Sequence, residues 1–185
     1  SYAKINLVPF GEWFPYEKWF APVKRLASSM GGSDFVPGKN PELFNLNGFR
    51  FGALICYEGI FFRLCREYKR LGADFLVNIT NDGWTDKYSG HYQHFSASVF
   101  RAIENGIWVV RAGNTGASAI INPAGRIVAD MPILTKGHFT GSIDVSLNRT
   151  TIYEKTGDLI LYIAVAFIFS IIVISMFKLR RAGSI

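Results

Sequence analysis

The residue best suited to covalent chemistry is Cys56, in the run GALICYEGIF. This run places the thiol where an apolar strand ends and a helical pattern begins. A nucleophile on a sharp strand-to-helix turn projects outward, and the adjacent N–H groups and helix dipole stabilise a thiolate or an oxyanion. A free cysteine is also often a small buried hydrophobic residue. Spacing alone therefore leaves Cys56 open to two interpretations, nucleophile and core residue.

A thiolate nucleophile needs a proton acceptor and a positive charge nearby. No histidine lies in an obvious partner motif, so lysine and glutamate remain as candidates. Lys4 and Glu12 occur together in YAKINLVPFGEWFP, and Glu58 follows the cysteine closely. Lys and Glu are common and usually exposed, so a solvated surface charge is the alternative interpretation of each.

Metal and cofactor chemistry is not indicated by the ligand types present. The two cysteines, Cys56 and Cys65, form no CxxC motif and no Cys/His set at ligand spacing. His91 and His94 would meet on a helix face, but a tetrahedral site needs further ligands. We predict no metal and no cofactor, and we interpret both histidines as polar residues on a helix surface.

The elements around these residues alternate in type. Between Phe49 and Ile143, β-rich runs alternate with helical patterns, which predicts an α/β fold. One helix is predicted from about Ile60 and a second from about His91. The predicted strands are FRFGALICY, DFLVNIT, the run from Trp108, SAIIN, RIVAD and HFTGSID, with a turn at Pro123-Ala-Gly125.

Each predicted helix has an apolar face at helical spacing. The face of the first comprises Ile60, Phe61, Leu64, Cys65 and Tyr68, which makes Cys65 most simply a core residue. The face of the second comprises Phe95, Val99, Ala102, Ile103 and Gly106.

The stretch from Glu12 to Gly48 mixes aromatic residues with Gly, Pro and Ser, and it is predicted to be a loop-rich arm that packs on the domain or contacts lipid.

A membrane span is predicted near the C-terminus. The 19 residues from Leu159 to Phe177 carry no charge and cover about 28 Å as a helix, close to the hydrocarbon thickness of a bilayer. Lys178, Arg180 and Arg181 follow, so the positive-inside tendency places the C-terminus in the cytoplasm and residues 1–158 outside it. We predict a soluble domain over residues 1–157, a transmembrane helix over 158–178 and a basic tail over 179–185.

The overall charge of +6 does not predict nucleic-acid binding. Lysine and arginine are scattered among acidic residues, whereas a phosphate-binding surface needs clustered cations.

Five motifs occur together and in order: YxKxxLVPFGExxP, ICYExxF, NxTNDGW, QHxxxxxxRAxExG and RAGNTGxSAxIxPxGR. With them the chain resembles apolipoprotein N-acyltransferases, members of the carbon–nitrogen hydrolase (nitrilase) superfamily. The resemblance implies a nitrilase-like αββα sandwich, of which this chain is the C-terminal portion, followed by one transmembrane helix. It also implies transfer of a fatty acyl chain from a phospholipid to the N-terminal amine of a diacylglyceryl-cysteine apolipoprotein at the bacterial inner membrane, on its periplasmic side.

The same resemblance implies a role for each candidate residue. Cys56 is expected to form the acyl thioester, and Lys4 to stabilise the oxyanion together with the amide of Tyr57. Glu12 and Glu58 are expected to position Lys4 and support the thiol, and Trp84 to line the substrate cavity. Residues expected to act as scaffold are Asn81, Asp82, Arg101, Glu104, Arg111 and Asn114.

The family's general-base glutamate is expected upstream of Ser1, so no residue here takes that role. The 185 residues are accordingly expected to be a fragment without turnover on its own. Two departures from the family pattern bear on the pocket, namely Thr85-Asp86 after the TNDGW tryptophan and Val99 in place of an arginine.

Two other functions stay open. A nitrilase-type amidase that hydrolyses a small amide would use the same cysteine, lysine and glutamate, but it needs no C-terminal membrane span. A catalytically silent, membrane-anchored binding module is the second alternative, and the joint presence of Cys56, Lys4, Glu12 and Glu58 argues against it.

Overall fold

A computed structural model of the protein describes residues 1–13, 35–84 and 88–182, with side chains described as far as residue 176. The chain forms two compact units, Ser1–Thr150 and Thr151–Ile185. Most of the predicted aromatic arm, residues 14–34, lies outside the described residues.

A mixed six-stranded sheet organises the first unit, with the strands side by side in chain order. The central pairs β2–β3 and β3–β4 are parallel, whereas β1–β2, β4–β5 and β5–β6 are antiparallel. The strands are β1 (Leu43–Leu46), β2 (Phe49–Ile55), β3 (Phe75–Thr80), β4 (Trp108–Gly113), β5 (Ser118–Ile121) and β6 (Ile127–Met131).

Helices cover one face of this sheet. A 3-10 helix, Cys56–Ile60, follows β2 and leads into α1 (Phe62–Arg70), and α2 (Tyr88–Asn105) precedes β4. The main apolar core lies between the sheet and these helices, with Leu54, Leu76 and Val109 contributed by the parallel strands. The α/β prediction is therefore confirmed, because parallel strands require crossover helices.

Cys65 lies in this core and is fully buried, as predicted. Burial raises the pKa of its thiol to about 12, which leaves the group protonated and unreactive at neutral pH. Leu64 and Tyr68 are buried beside it on α1, so the predicted apolar face of this helix is largely confirmed.

The opposite face of the sheet carries a smaller apolar cluster. Phe75, Trp108 and Ile120 are buried there, and Phe51 stacks on Phe75 with 5.3 Å between ring centroids.

Several predicted elements need correction. HFTGSID forms no strand, because its Phe139 and Ile143 pack on the second apolar cluster by side-chain contact. The strand β1 was not predicted, since its Leu-Phe-Asn-Leu sequence lies inside the segment interpreted as a loop-rich arm. Of the apolar face predicted for the second helix, Ala102 and Gly106 are buried and Phe95 and Val99 pack against the core, whereas Ile103 is 42% exposed. What was not predicted is that α2 also buries polar side chains; its buried residues are His91, His94, Ser98, Arg101, Ala102 and Asn105.

The second unit contains a short helix, α3 (Ile152–Thr156), and a long helix, α4 (Leu159–Ala182). The Thr151 side chain caps α3 by accepting a hydrogen bond from the Glu154 N–H. Within α4, the window Leu159–Met176 is long and apolar enough to cross a bilayer. The side chains of this window are almost all exposed. An exposed apolar helix therefore lies where the sequence predicts a membrane span.

Candidate active site

The candidate site lies at the carboxyl edge of the three parallel strands. Cys56 follows β2, Asn81 follows β3 and Asn114 follows β4. The Asn114 side-chain amide donates to Asn81 Oδ1 over 2.7 Å, which joins two of these strand ends. The Cys56 thiol in turn lies 3.7 Å from the Asn81 carbonyl oxygen. Ligands of open α/β sheets bind at this kind of edge.

Cys56 has a left-handed backbone conformation, with φ of +52°. A side chain with a Cβ adopts this region at a cost, and such strain persists only where surrounding contacts impose it. The residue begins the 3-10 helix Cys56–Ile60 and is partly exposed. The chain thus turns sharply at the thiol, as a nucleophile on a strand-to-helix turn requires.

Glu58 is a buried acceptor rather than a free acid–base group. Its Oε1 accepts hydrogen bonds from the Tyr2 hydroxyl and the Ile5 N–H, both over 2.7 Å, and from the Asn6 N–H over 3.2 Å. Its Oε2 accepts from the Ile55 N–H over 2.7 Å. The carboxylate therefore fastens the segment around Lys4 to the end of β2, beside the cysteine.

Lys4 and Glu12 form a tight ion pair. The Lys4 ammonium donates to both carboxylate oxygens of Glu12 over 2.7 Å, and the Val8 N–H donates to Glu12 Oε2 over 2.8 Å. The Lys4 side chain is only 10% exposed. The pair holds a cation in one place within the segment that Glu58 fastens beside Cys56.

A buried polar network lies beneath the cysteine turn. His94 Nδ1 lies 2.7 Å from Asp82 Oδ1, and the Arg111 guanidinium donates to Asp82 Oδ2 over 2.7 Å. Arg111 also donates to Asn78 Oδ1 over 3.1 Å. Asn78 and Arg111 are neighbours across β3 and β4, so their side chains share the face that α2 covers. The network therefore links the sheet, the helix and the cysteine turn.

The environment of Asp82 favours its ionised form. Burial acts to raise the pKa of this carboxyl, but the hydrogen bond with His94 and the charge of Arg111 outweigh it, and the pKa is lowered to about 2. Burial lowers the pKa of Arg111, and the Asp82 charge opposes that shift.

The pKa of Tyr2 is raised well above its ordinary value by burial and by the hydrogen bond to Glu58, so its hydroxyl remains a donor.

Two further predicted residues flank the turn. The Tyr57 ring contacts Phe61 edge-to-face, with centroids 5.1 Å apart, and its backbone follows Cys56 directly. Trp84 is 70% exposed three residues after Asn81, and residues 85–87 next to it lie outside the described residues.

Sequence reasoning missed the placement of the histidines. His91 and His94 are 5% and 8% exposed, so their interpretation as surface residues is wrong. The buried surface of α2 carries polar groups because it contacts the polar end of the sheet. The spacing in QHxxxxxxRA was an available signal, since His94 and Arg101 are two helical turns apart and therefore share a face.

The described residues, 1–13, 35–84 and 88–182, contain no cluster of three or more His, Cys, Asp or Glu residues placed to hold a metal ion. The site combines Cys56, whose backbone conformation is strained, Lys4, which is fixed by its ion pair, and the backbone N–H groups of the turn. This arrangement is suited to nucleophilic attack on a carbonyl carbon with stabilisation of the resulting oxyanion.

Comparison with known proteins identifies the family. A sequence profile described as carbon-nitrogen hydrolase matches residues 1–153. The chain belongs to this family. The carbon-nitrogen hydrolase match covers all the strands of the sheet and every residue of the candidate site described above.

Several curated relatives of this carbon-nitrogen hydrolase share a name. A protein of Geobacter metallireducens named apolipoprotein N-acyltransferase is 40% identical over 163 residues, which are 88% of this chain and 31% of the relative. Proteins with that name from Borreliella burgdorferi and Rickettsia typhi are each 38% identical, over 89% and 91% of the chain. The chain spans 31% to 33% of the length of these three relatives.

Solved structures confirm the fold. A mutant of the Nesterenkonia AN1 amidase from the nitrilase superfamily is 23% identical and has a TM-score of 0.51 over 71% of this chain and 45% of the amidase. The predicted fold class, a portion of a nitrilase-like fold followed by one apolar helix, is therefore confirmed.

Proposed function

We propose that the natural protein is an apolipoprotein N-acyltransferase, which transfers a fatty acyl chain from a membrane phospholipid to the N-terminal amine of a diacylglyceryl-cysteine lipoprotein. The observation that carries this proposal is the joint presence of the Cys56 turn and an apolar helix of membrane-spanning length in one chain. Relatives at about 40% identity over nearly all of the chain share the name of this activity.

The proposed reaction is a two-step acyl transfer on Cys56. The thiolate attacks the ester carbonyl of the phospholipid, an S–C bond forms, and the electron pair moves to the carbonyl oxygen. When this oxyanion collapses, the C–O bond to the lysophospholipid breaks, and the lipid alcohol takes a proton. The lipoprotein amine then attacks the thioester, an N–C bond forms, the S–C bond breaks, and the amine proton returns to the enzyme.

Lys4 and Tyr57 are proposed to stabilise the oxyanion, with Lys4 as the cation and the Tyr57 N–H as a hydrogen-bond donor. Glu12 fixes Lys4 through two hydrogen bonds of 2.7 Å, and Glu58 fixes the segment that carries it. Both carboxylates are thus engaged with fixed donors. By the family resemblance, the base that accepts the thiol proton is a glutamate outside these 185 residues.

The membrane arrangement follows from the charge distribution. Residues 1–157 are proposed to form the catalytic part on the periplasmic side, 158–178 the transmembrane helix and 179–185 a cytoplasmic tail with Arg180 and Arg181. A site near the bilayer surface gives the thiolate access to a phospholipid ester, and exposed Trp84 is proposed to line the cavity that receives it.

An acyl-transfer assay tests this function. The natural full-length protein is mixed with a phospholipid that carries a labelled acyl chain and with a peptide whose N-terminal cysteine is S-diacylglyceryl-modified. Transfer is expected to the free amine and not to the N-acetylated peptide. Cys56→Ser is expected to abolish transfer, whereas Cys65→Ala, its matched control in the core, retains it with reduced stability.

Two results would contradict the proposal. Hydrolysis of a short aliphatic amide without acyl transfer would indicate an amidase. Transfer that persists in Cys56→Ser would remove the cysteine from the chemistry.

A further inference from the structure

The carbonyl oxygen of Cys56 accepts hydrogen bonds from two buried side chains. Asn78 donates from Nδ2 over 3.3 Å, and His94 Nε2 lies 3.1 Å away. Asn78 is fully buried and His94 is 8% exposed. This carbonyl belongs to the same peptide group as the Tyr57 N–H, the proposed oxyanion donor.

We propose that His94 is a positioning residue of the acyl transfer: fixed at Nδ1 by Asp82 and Arg111, it donates from Nε2 to the Cys56 carbonyl, polarises the Cys56–Tyr57 peptide and strengthens the Tyr57 N–H as an oxyanion donor. This inference rests on the proposed function, because it assigns His94 a part in the same chemistry. His94 acts through the peptide, without contact with the acyl group.

The contacts of the His94 ring fix its orientation. Nδ1 lies 2.7 Å from a carboxylate oxygen of Asp82, and Nε2 lies 3.1 Å from the carbonyl oxygen of Cys56. A carbonyl oxygen only accepts hydrogen bonds, so Nε2 is the ring nitrogen that donates to Cys56.

Arg111 offers the alternative partner for Nδ1, at 3.3 Å from its Nη2. That same Nη2 lies 2.7 Å from Asp82 Oδ2. Nη2 carries two hydrogens and can donate to both, so the ring has an acceptor, Asp82, and a donor, Arg111, beside Nδ1. Asp82 thus contacts both His94 and Arg111 and holds both side chains in place.

Polarisation of a peptide couples its two ends. A donor on the carbonyl draws electron density from the amide nitrogen, and each hydrogen bond in such a chain strengthens the next by about 10–30%. Two donors, Asn78 and His94, act on the Cys56 carbonyl. The expected result is a stronger Tyr57 N–H donor.

Arg101 makes a second contact between the same helix, α2, and the cysteine turn. Arg101 donates to the Ile60 carbonyl over 2.7 Å, at the far end of the 3-10 helix. α2 therefore holds both ends of the cysteine turn. His94 is the one of these two residues that contacts the peptide between Cys56 and Tyr57.

Single-turnover acylation tests the role of His94. The natural full-length protein in mixed micelles is incubated with a labelled phospholipid over a range of concentrations, and the adduct on Cys56 is measured with time. His94→Gln is expected to lower the acylation rate constant about 10- to 100-fold, since loss of a whole oxyanion donor costs about 100- to 1,000-fold. The half-saturating phospholipid concentration is expected to stay within about twofold, as expected when only transition-state stabilisation is lost.

His138→Gln is the matched control, because His138 is exposed in the same unit. It is expected to leave both kinetic quantities within about twofold, as is usual for surface substitutions. In the wild-type protein, ¹⁵N NMR of the histidine rings should show an attached proton on Nε2 of His94.

The outcomes separate this inference from the proposed function. Wild-type acylation with an equal rate in folded His94→Gln overturns the role of His94 and leaves the acyltransferase proposal intact. Absence of a proton on Nε2 of His94 in the wild type overturns it as well, whether or not the variant folds. Absence of any adduct on wild-type Cys56 overturns the proposed function and, with it, this role.

Discussion

Replacing Glu58 by glutamine tests whether this carboxylate positions the site. The substitution keeps the shape of the side chain but changes one oxygen to an NH₂ group. Glu58 accepts three hydrogen bonds at Oε1 and one at Oε2. The least costly orientation places the NH₂ group at the Oε2 position. There it faces the Ile55 N–H, and because both groups are hydrogen-bond donors, no bond forms between them.

The expected loss of stability follows from these contacts. One buried N–H loses its acceptor, which costs about 1–3 kcal/mol. The other bonds lose their charge, and a hydrogen bond to a charged group is worth about 1 kcal/mol more than a neutral one. Because such terms are not additive, we expect a total of about 3–5 kcal/mol. Tyr2→Phe removes the bond to Glu58 and the hydrogen bond with the Tyr68 hydroxyl, and it is expected to cost about 1–3 kcal/mol.

Hydrogen exchange by mass spectrometry measures this directly. Peptides that contain Ile5, Asn6 and Ile55 should exchange about 100-fold faster or more in Glu58→Gln, since 1.4 kcal/mol corresponds to a factor of ten. Glu67→Gln, on an exposed position of α1, is the control and should leave exchange unchanged. Unchanged exchange together with lost acyl transfer would refute the positioning role and indicate that Glu58 takes part in the chemistry.

Three further predictions concern the groups around the cysteine turn. Glu12→Gln should lower the rate of Cys56 acylation at least about tenfold, measured as adduct formation, because it removes the charge that pairs with Lys4 through two bonds of 2.7 Å; an unchanged rate would show that the pair is not needed. Asp82 has its pKa lowered to about 2, so its contribution of about 2.6 kcal/mol is present above pH ~4 and is lost as the pH falls towards ~2. Asp82→Asn should therefore be less stable at neutral pH and lack that part of the pH dependence in thermal melts, and an unaltered pH profile would contradict the assignment. Gly116→Ala should lower the unfolding free energy by about 2 kcal/mol or more in denaturant titrations, because a Cβ there would overlap the Asp82 carboxylate. Gly11→Ala, whose Cβ would make ordinary contacts at 3.5 Å, is its control, and equal stabilities would contradict the prediction.

The fold was largely predictable because its strands and first helix have regular patterns. β2 and β3 are apolar runs bounded by turns, and the face of α1 with Leu64, Cys65 and Tyr68 repeats at helical spacing. β1 was not predictable from local pattern, since four residues give too short an alternation. The run HFTGSID has strand-forming residues but packs by its side chains, which depends on the tertiary surroundings.

The buried face of α2 shows why part of the site was not predictable. Periodicity marks apolar residues as core, yet this helix buries His94, Ser98 and Arg101 against polar groups at the end of the sheet. Such a face appears only when β3 and β4 place Asn78 and Arg111 side by side. The resemblance is the basis of the proposed roles of Lys4 and Glu12, whereas their ion pair depends on the turn between them.

Intact mass spectrometry of the natural full-length protein after incubation with phospholipid tests the role of Cys56 most directly. Wild-type protein is compared with Cys56→Ser, Cys56→Ala and the core control Cys65→Ala. We expect an acyl adduct that maps to Cys56, is released by hydroxylamine, is absent from Cys56→Ala and is present in Cys65→Ala. An active wild-type protein without such an adduct, or with an adduct at another residue, would show that Cys56 is not the acyl-carrying nucleophile.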